Sequence, residues 1–335
     1  MNRVAALFID DLYRGFNSTE FPSFASLAGN FGQLGRVWTK KWFRCVIALT
    51  FNEKTKKFEY SQFKWNSPSD ECPLSDLSEL EDCVLDASSL RYMLEYIVVI
   101  VPKKPEKTKR PYPWISADSS DFKLRWQLNA LRTVPVSSLI CSDTTDWDPT
   151  LFFSLFPKKL HFNEVHSDSF YNPAVEKLIE VSLKARKLHF VTCNEYMKKQ
   201  DVASIVKLFK RDEFQGLRWS EVGPTKPMAR ELIKAWIDEV DKFKSGKEFY
   251  SCPGDLYDCT SFPFEVLNNP ESGFLERTIF SLYTKEEQVF FQLTHPTRSE
   301  RKLILHMGAR DGDFSKVNCL EDAVEMHLWY ELYMF

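Results

Sequence analysis

The sequence predicts an α/β fold in which short parallel strands alternate with amphipathic helices, between a small helical N-terminal unit and a β-rich C-terminal cap. Three observations predict it. A four-residue string recurs in the middle of the chain, apolar residues there switch between strand and helix periodicity, and alternating segments follow Cys252. The predicted divisions are residues 1–66, 67–252 and 253–335.

The recurring string is Lys-Leu-His-Phe, which occupies residues 159–162 and again residues 187–190, 28 positions further along. A third Leu-x-aromatic phrase, Leu217-Arg218-Trp219, begins 29 positions after Leu188. The second copy continues to Asn194 in a form close to the Leu-x-Leu-x-x-Asn/Cys phrase of leucine-rich repeats, whose period is about 20 to 29 residues. We therefore expect a leucine-rich-repeat-like arc of parallel strands and helices.

Strand and helix patterns alternate across the middle region. Apolar residues three and four positions apart predict helices at residues 175–182, 202–209 and 229–240, and Pro173 suits the first turn of the first of them. This succession favours parallel pairing through right-handed crossovers. Strands are predicted at residues 96–101, 138–142, 160–164, 188–192, 217–220 and 248–251.

The two ends have different patterns. Residues 4–42 carry helical periodicity and predict two short helices, and residues 43–51 and 58–65 alternate around a turn, which predicts a β-hairpin. An atypical end unit would cover the last apolar face of a repeat array. The C-terminal pattern predicts an antiparallel meander from segments 277–283, 288–295 and 302–307, with either a helix or a strand within residues 318–333.

Composition excludes several classes of protein. Hydrophobic residues make up 44% of the chain, which is too apolar for intrinsic disorder, and a formal net charge of −3 gives no global attraction to nucleic acid. The longest apolar run, residues 96–101, is far shorter than the roughly 20 residues of a membrane span. Eight cysteines without a Cys-x-x-Cys pair are read as reduced thiols. We expect a cytoplasmic or nuclear protein that binds neither nucleic acid nor membrane.

No motif in the sequence is a catalytic signature, so no catalytic residue, cofactor or metal ligand is predicted. His161 and His189 occupy equivalent repeat positions but lack further ligands at short spacing, which favours solvent-facing strand residues over a metal site. The glycines at 29, 32 and 35 do not match a nucleotide-binding fingerprint and favour close helix packing or a turn. Because catalytic residues can converge from distant positions, an enzyme with an unrecognised active site is kept as an alternative.

The repeats predict a surface, since parallel strands place their outward-facing residues side by side. A mixture of aromatic, imidazole, arginine and small polar groups is typical of a specific protein contact. The leading hypothesis is therefore a non-enzymatic protein-binding module. Its predicted partner-binding residues are Ile140, His161, Asn163, His189, Val191, Arg218, Ser220 and Tyr250.

Several residues carry a resemblance to a known family. They are Val4, Phe8 and Ile9 near the start, then Leu27-x-x-x-Phe31-Gly32 with Trp38, and finally the Leu-x-Phe repeats. With these features the chain resembles, over most of its length, the nematode-expanded group of F-box-associated proteins with degenerate leucine-rich repeats. The resemblance implies an F-box-like helical unit at the N-terminus, which joins a Skp1-type adaptor in a cullin ubiquitin ligase while the repeats hold a substrate.

The same resemblance implies an adaptor-binding set made of Leu7, Phe8, Leu12, Leu27 and Trp38. An F-box normally opens with Leu-Pro, whereas this chain has Val4-Ala5. A stand-alone protein-interaction scaffold without adaptor binding is therefore the second hypothesis. Capture of a Skp1-type protein is the observation that separates the two.

Overall fold

The computed structural model divides the chain into two compact units, Met1–Lys187 (unit 1) and Leu188–Phe335 (unit 2). The boundary falls at the second copy of the repeated string. The structure describes residues 13, 21–52, 54–65, 81–82, 92–100, 115–117, 136–141, 154–155, 161–167, 173–193, 201–219, 228–251, 256–268, 287–308, 314, 317–324 and 329–335.

Unit 1 contains a pair of helices, α1 (Phe21–Ala25) and α2 (Gly29–Lys41), held together by aromatic side chains. The ring of Tyr13 stacks on that of Trp38 with centroids 5.9 Å apart, and its hydroxyl donates to the carbonyl of Phe31 at 2.9 Å. The first predicted helix, based on Val4, Leu7, Phe8 and Leu12, lies outside the described residues. The buried members of this aromatic core are Tyr13, Phe21, Trp38, Trp42 and Leu94, with Phe24, Phe31, Leu34 and Tyr92 packed against them.

Gly35 shows why a glycine stands on α2. A Cβ at this position would come 2.6 Å from the hydroxyl oxygen of Tyr13 and 2.8 Å from the backbone nitrogen of Ala25. Those distances are far inside van der Waals contact, so α1 and Tyr13 approach α2 closely only because the side chain is absent. Close helix packing, one of the two roles expected for these glycines, is thus confirmed at Gly35.

The predicted hairpin follows directly after α2. Strands β1 (Phe43–Asn52) and β2 (Lys57–Trp65) pair antiparallel, in register from Arg44 opposite Trp65 to Asn52 opposite Lys57. The side-chain oxygen of Asn52 accepts hydrogen bonds from the backbone nitrogens of Lys54 and Thr55, which fixes the turn. The hairpin prediction is therefore confirmed.

The sheet of unit 1 is mixed. After the hairpin, its strands are β3 (Glu81–Asp82), β4 (Met93–Ile100), β5 (Ile115–Ala117), β6 (Val136–Cys141) and β7 (Glu164–Ser167), in the spatial order β3-β2-β1-β4-β6-β7 with β5 beside β2. Strands β1, β4, β6 and β7 are parallel neighbours, and β4 is buried along most of its length, as expected for a strand covered on both faces. Helix α3 (Pro173–Lys184) follows the last strand.

Unit 2 begins as alternating strands and helices. Strands β8 (Phe190–Cys193), β9 (Gly216–Trp219) and β10 (Lys247–Ser251) are parallel and adjacent, and helices α4 (Asp201–Phe209) and α5 (Met228–Asp238) connect them. This succession agrees with the predicted alternation of parallel strands and helices. The helices predicted at 175–182, 202–209 and 229–240 coincide with α3, α4 and α5 within a few residues.

The C-terminal part of unit 2 is antiparallel, as predicted. Its elements are β11 (Glu265–Val266), β12 (Gln288–His295), β13 (Arg298–Gly308), α6 (Leu320–Val324) and β14 (Trp329–Met334). The strands of unit 2 lie in the order β11-β12-β13-β14-β10-β9-β8. The predicted segments 288–295 and 302–307 form neighbouring strands, whereas 277–283 lies outside the described residues. Residues 318–333 contain both a short helix and most of a strand.

The strands predicted at the two copies of the repeated string begin later than expected. His161 and His189 both precede their strands, β7 and β8, instead of lying within them. Their carbonyl groups accept hydrogen bonds outside the regular ladders: that of His161 from the Ser137 hydroxyl at 3.2 Å, and that of His189 from the backbone nitrogen of Gln215 at 2.7 Å. These bonds hold each histidine in irregular backbone, so both predicted strand starts are corrected.

Candidate functional site

The predicted partner-binding residues of unit 1 are only partly accessible. Ile140 lies on β6 opposite His166 and is half-buried, and His161 is half-buried ahead of β7. The amide oxygen of Asn163 accepts from the backbone nitrogen and the hydroxyl of Ser137 at 3.2 and 3.0 Å, while its amide nitrogen donates to the carbonyl of Lys187 at 3.1 Å. The side chain of Asn163 is therefore used inside the fold.

The predicted partner-binding residues of unit 2 differ in their accessibility. Arg218 is exposed and lies directly opposite the half-buried Tyr250, as expected for neighbouring parallel strands. His189 is half-buried ahead of β8, and Ser220 lies outside the described residues. Val191 is only 1% exposed, so its predicted outward orientation is wrong. The strand begins at Phe190, and alternation from that residue places Phe190 and Thr192 on one face and Val191 on the other.

The implied adaptor-binding residues also differ in their positions. Leu7, Phe8 and Leu12 lie outside the described residues. Leu27 lies between α1 and α2 and is 42% exposed, whereas Trp38 is 0% exposed within the aromatic core. Leu27 is thus available to a partner, and Trp38 can only support the helices that carry it.

The structure brings together a set of residues on one face of the sheet of unit 2, which we call the polar face. Directly opposed residues on neighbouring strands share a face, so the pairing registers define two rows across β8, β9, β10, β14, β13 and β12. The first row is Thr192, Arg218, Tyr250, Glu331, His306 and Phe290, and the second is Phe190, Gly216, Glu248, Tyr333, Ile304 and Gln292.

Accessibility changes along the polar face. Arg218 is exposed and Glu248 is half-buried, whereas Glu331 is 5% exposed and His306 is 0% exposed. The end formed by β8, β9 and β10 can therefore contact another molecule. The inner end, on β14 and β13, is enclosed.

The accessible end is built around Gly216. A Cβ at this position would lie 2.5 Å from a ring carbon of Phe190 and 2.7 Å from the Cγ of Glu248. The guanidinium carbon of Arg218 lies 5.2 Å from the centroid of the Phe190 ring, within the range of a cation–π contact. We call Phe190, Gly216, Arg218 and Glu248 the Phe190 corner. Because residue 216 has no side chain, the Phe190 ring and the Glu248 side chain can both pack against its backbone.

At the inner end, polar groups bond to one another. The Nε2 atom of His306 lies 2.9 Å from the amide oxygen of Gln288, and its Nδ1 lies 3.4 Å from a carboxylate oxygen of Glu331. The hydroxyl of Tyr333 donates to the same carboxylate at 2.7 Å, and the imidazole stacks on Phe290 with centroids 4.1 Å apart. These contacts form a buried network that spans three strands.

Burial and neighbouring charges shift several pKa values on this face. Burial lowers the pKa of His306, and the Glu331 carboxylate opposes that change. Burial also raises the pKa of Glu248, which Arg218 opposes and Glu331 reinforces, and burial raises the pKa of Tyr333. Perturbed pKa values that cluster in one place indicate a candidate functional site.

A second polar row, in unit 1, is satisfied within the fold. Arg44 pairs with Glu95 at 3.1 Å across β1 and β4, and the Ser138 hydroxyl donates to Glu95 at 3.1 Å. On β7, Glu164 lies 3.5 Å from Ser138 and 3.4 Å from His166. These groups bond to each other across four strands and so stabilise the pairing of those strands. Because their polar atoms already have partners, this row is a weaker candidate for contact with another molecule.

Two kinds of feature are absent among the described residues, a metal-holding group and a helix that could span a membrane. No group of three or more His, Cys, Asp or Glu residues among them is arranged to hold a metal ion. None of the helices in the described ranges is long and apolar enough to cross a membrane. Cys45, Cys141, Cys193, Cys259 and Cys319 are free thiols.

Fold and site together define a mixed α/β protein whose unit 2 carries an aromatic and charged sheet face. No family model, no curated protein and no solved structure matches the chain in comparisons with known proteins. The polar face is therefore the main basis for a functional proposal.

The sequence-based prediction did not include most residues of the polar face, although the sequence contains a pattern that indicates it. The phrase Glu-x-Tyr occurs twice, at Glu248-Phe249-Tyr250 and at Glu331-Leu332-Tyr333. In the antiparallel pair of β10 and β14, Glu248 lies opposite Tyr333 and Tyr250 lies opposite Glu331. Two copies of one alternating polar phrase on different predicted strands indicate that the strands pair and share a polar face.

Replacing Glu248 with Gln should raise the free energy of unfolding of unit 2 at neutral pH. Because burial raises the pKa of Glu248, the folded protein binds more protons than the unfolded chain above the ordinary carboxyl range, and stability is lost as pH rises through the raised pKa. Gln has nearly the same shape and stays neutral. The difference from wild type should grow as pH rises from about 4 and then level off.

Denaturant unfolding over about pH 4 to pH 8 measures this difference. Glu300→Gln, a change at an exposed residue of β13, is the matched control and should leave the pH dependence unchanged. A difference between Glu248→Gln and wild type that does not vary with pH would contradict the prediction.

Proposed function

We propose that the protein is a non-enzymatic protein-binding module that contacts its partner through the Phe190 corner and the adjoining Tyr250. The observation that supports it most is the Arg218 guanidinium, which is exposed and packed on the Phe190 ring. Arginine and large aromatic residues are enriched at the energetic centres of protein interfaces. A paired arginine and aromatic ring on an accessible sheet face is such a combination.

The chemistry of the polar face favours binding over catalysis. Its imidazole and one of its two carboxylates, His306 and Glu331, are buried and engaged with each other and with Gln288 and Tyr333. A general acid or base must come within hydrogen-bond reach of a substrate. The imidazole and the Glu331 carboxylate therefore lie at the enclosed end, while Glu248 is the carboxylate at the accessible end, beside the contact residues Phe190 and Arg218.

The binding proposal can be tested by affinity capture. Immobilised protein would be used to isolate partners, and a partner so identified would then be titrated as a purified protein. The double variant Arg218→Asp, Tyr250→Asp should bind at least about 30-fold more weakly, because hot-spot residues contribute about 2 kcal/mol or more.

The control for this experiment is Arg186→Asp, a substitution at an exposed arginine that follows α3 in unit 1. This variant should bind as wild type does. Equal affinity of the double variant and the wild-type protein would overturn the role of the polar face.

We propose as a more specific role that the protein recognises substrates for a Skp1-cullin-type ubiquitin ligase. The resemblance of the N-terminal region motivates this role, and the exposure of Leu27 between α1 and α2 supports it, since an adaptor needs an accessible apolar contact. The polar face of unit 2 would then hold the substrate. The buried Trp38 would support the helices from within.

The adaptor role is tested by binding a purified Skp1-type protein to the full chain. Leu27→Asp should abolish the association, and Gln33→Asp, at an exposed position on α2, should leave it intact. Absence of association in the wild-type chain would overturn the ligase role. Such a result would leave the stand-alone scaffold as the form of the binding proposal.

A further inference from the structure

We propose that the partner presents an acidic side chain, Asp or Glu, to Arg218, with the neighbouring part of the partner packed on Phe190. This inference rests on the proposed binding function and specifies the chemistry of the partner. It commits to a protein carboxylate as the occupant of the Phe190 corner.

The geometry of Arg218 is the first argument. Packing on the Phe190 ring at 5.2 Å restrains the guanidinium without using its N–H donors. A guanidinium offers these donors in a planar fork that matches the two oxygens of a carboxylate. The ring contact thus restrains the arginine before a partner arrives and leaves its donors available for a bidentate contact.

Charge complementarity is the second argument. Other surface arginines of unit 2 pair with a carboxylate of this chain: Arg298 with Asp241 at 3.3 Å and Arg211 with Glu213 at 3.3 Å. Arg218 instead contacts an aromatic ring, and no salt bridge joins it to Glu248 or to another described carboxylate. No described residue therefore supplies the opposite charge, which the proposed partner carboxylate would provide.

Glu248 does not cancel this attraction. The residue is half-buried, and the raised pKa that burial gives its carboxyl group weakens its charge relative to an exposed glutamate. An incoming carboxylate consequently meets an exposed cation and an acid whose ionisation is disfavoured. The repulsion that Glu248 exerts should decrease further as pH falls.

A neighbouring hydroxyl supports the same occupant. Thr192 lies opposite Arg218 in the same row of the polar face, and its Oγ1 atom is buried without a hydrogen-bond partner among the described residues. A buried hydroxyl without a partner is unfavourable by about 1–3 kcal/mol. A carboxylate oxygen bound beside Arg218 would supply an acceptor if the Thr192 hydroxyl, which is buried in the free protein, turns toward it.

Other occupants fit less well. A basic segment would be repelled by Arg218 at the exposed edge of the corner. A purely apolar segment would cover the guanidinium and remove its water without providing an acceptor, which is costly for a charged group. Specificity for acidic partners follows from both penalties.

The test uses a displayed library of short random peptides with blocked ends, so that only side chains supply carboxylates. Full-length wild-type protein, Arg218→Gln and the control Arg186→Gln would each be used for selection. Peptides enriched by wild type and by the control should be rich in Asp or Glu next to an aromatic or aliphatic residue.

Titration of the enriched peptides then provides affinities. Arg218→Gln should weaken binding at least about tenfold, the loss expected for one charge-assisted contact, while Arg186→Gln should not. Glu248→Gln, which removes the acid but keeps its shape, should bind the acidic peptides at least as tightly as wild type.

The possible results distinguish a failure of the acidic-partner proposal from a failure of the proposed binding function. Enrichment of basic or wholly apolar peptides, or acidic peptides whose affinity is unchanged in Arg218→Gln, would overturn the inference and leave the binding function standing. Failure to enrich any sequence, together with failure to capture a partner protein, would overturn both.

Discussion

Replacing Trp38 with alanine should lower the free energy of unfolding of the helical part of unit 1 by about 3–5 kcal/mol, the usual cost of removing a fully buried Trp. Trp38 is 0% exposed, and its ring contacts Tyr13, Phe21 and Tyr92 with centroids 5.4 to 5.9 Å apart. Gly35 already lets the helices approach closely, so the cavity cannot be filled by a small adjustment. The substitution should therefore act through both lost apolar burial and a residual cavity.

Hydrogen exchange followed by mass spectrometry measures this effect locally. In Trp38→Ala, amide protection within α2 (Gly29–Lys41) should fall, while protection in unit 2 should stay the same. Leu27→Ala, which also truncates an apolar residue but at an exposed position, is the matched control and should cost about 0.5 kcal/mol or less. Protection of α2 within about 1 kcal/mol of wild type in Trp38→Ala would show that the aromatic core does not support the helices.

His306 should lower the stability of unit 2 as pH falls from about 7 to about 5, an effect opposite in sign to that of Glu248. Burial lowers the pKa of His306, so below the ordinary histidine value the unfolded chain binds a proton that the folded protein does not. The contribution reaches about 1.4 kcal/mol per pH unit at most. The groups around the imidazole are Gln288 and Phe290 on β12 and the Glu331 carboxylate on β14.

Denaturant unfolding at several pH values tests this prediction. His306→Gln should have a shallower pH dependence than wild type, whatever its absolute stability. His166→Gln, at a partly exposed histidine of unit 1, provides the control and should leave the slope for unit 2 unchanged. Parallel curves for wild type and His306→Gln would mean that the Glu331 carboxylate fully offsets the effect of burial.

Local periodicity predicted much of the fold because the signals are short-range. Alternation around Asn52 was sufficient for the β1–β2 hairpin, and apolar residues at three- and four-residue spacing were sufficient for α3, α4 and α5. The strand starts near His161 and His189 could not be read in this way. Their carbonyls bond to residues 24 and 26 positions away, and such contacts are set by tertiary structure.

The candidate site was predicted less completely. Arg218 and Tyr250 lie opposite each other because alternation within β9 and β10 is regular, whereas Val191 was misplaced because β8 begins one residue after His189. The remaining acids and tyrosines come together through the pairing of β10 with β14, which joins parts of the chain about 80 residues apart. In the sequence, the duplicated Glu-x-Tyr phrase is the one pattern that indicates the pairing of β10 with β14.

Gly216 limits how this surface could be redesigned or diversified. Its neighbours already fill the volume that any larger residue would need, so even alanine would push the ring and the acid apart. Changes of specificity should therefore arise at Arg218 within the Phe190 corner and at Thr192 and Tyr250 beside it, while Gly216 stays fixed. Among functional variants of the protein, position 216 should therefore tolerate fewer replacements than the positions around it.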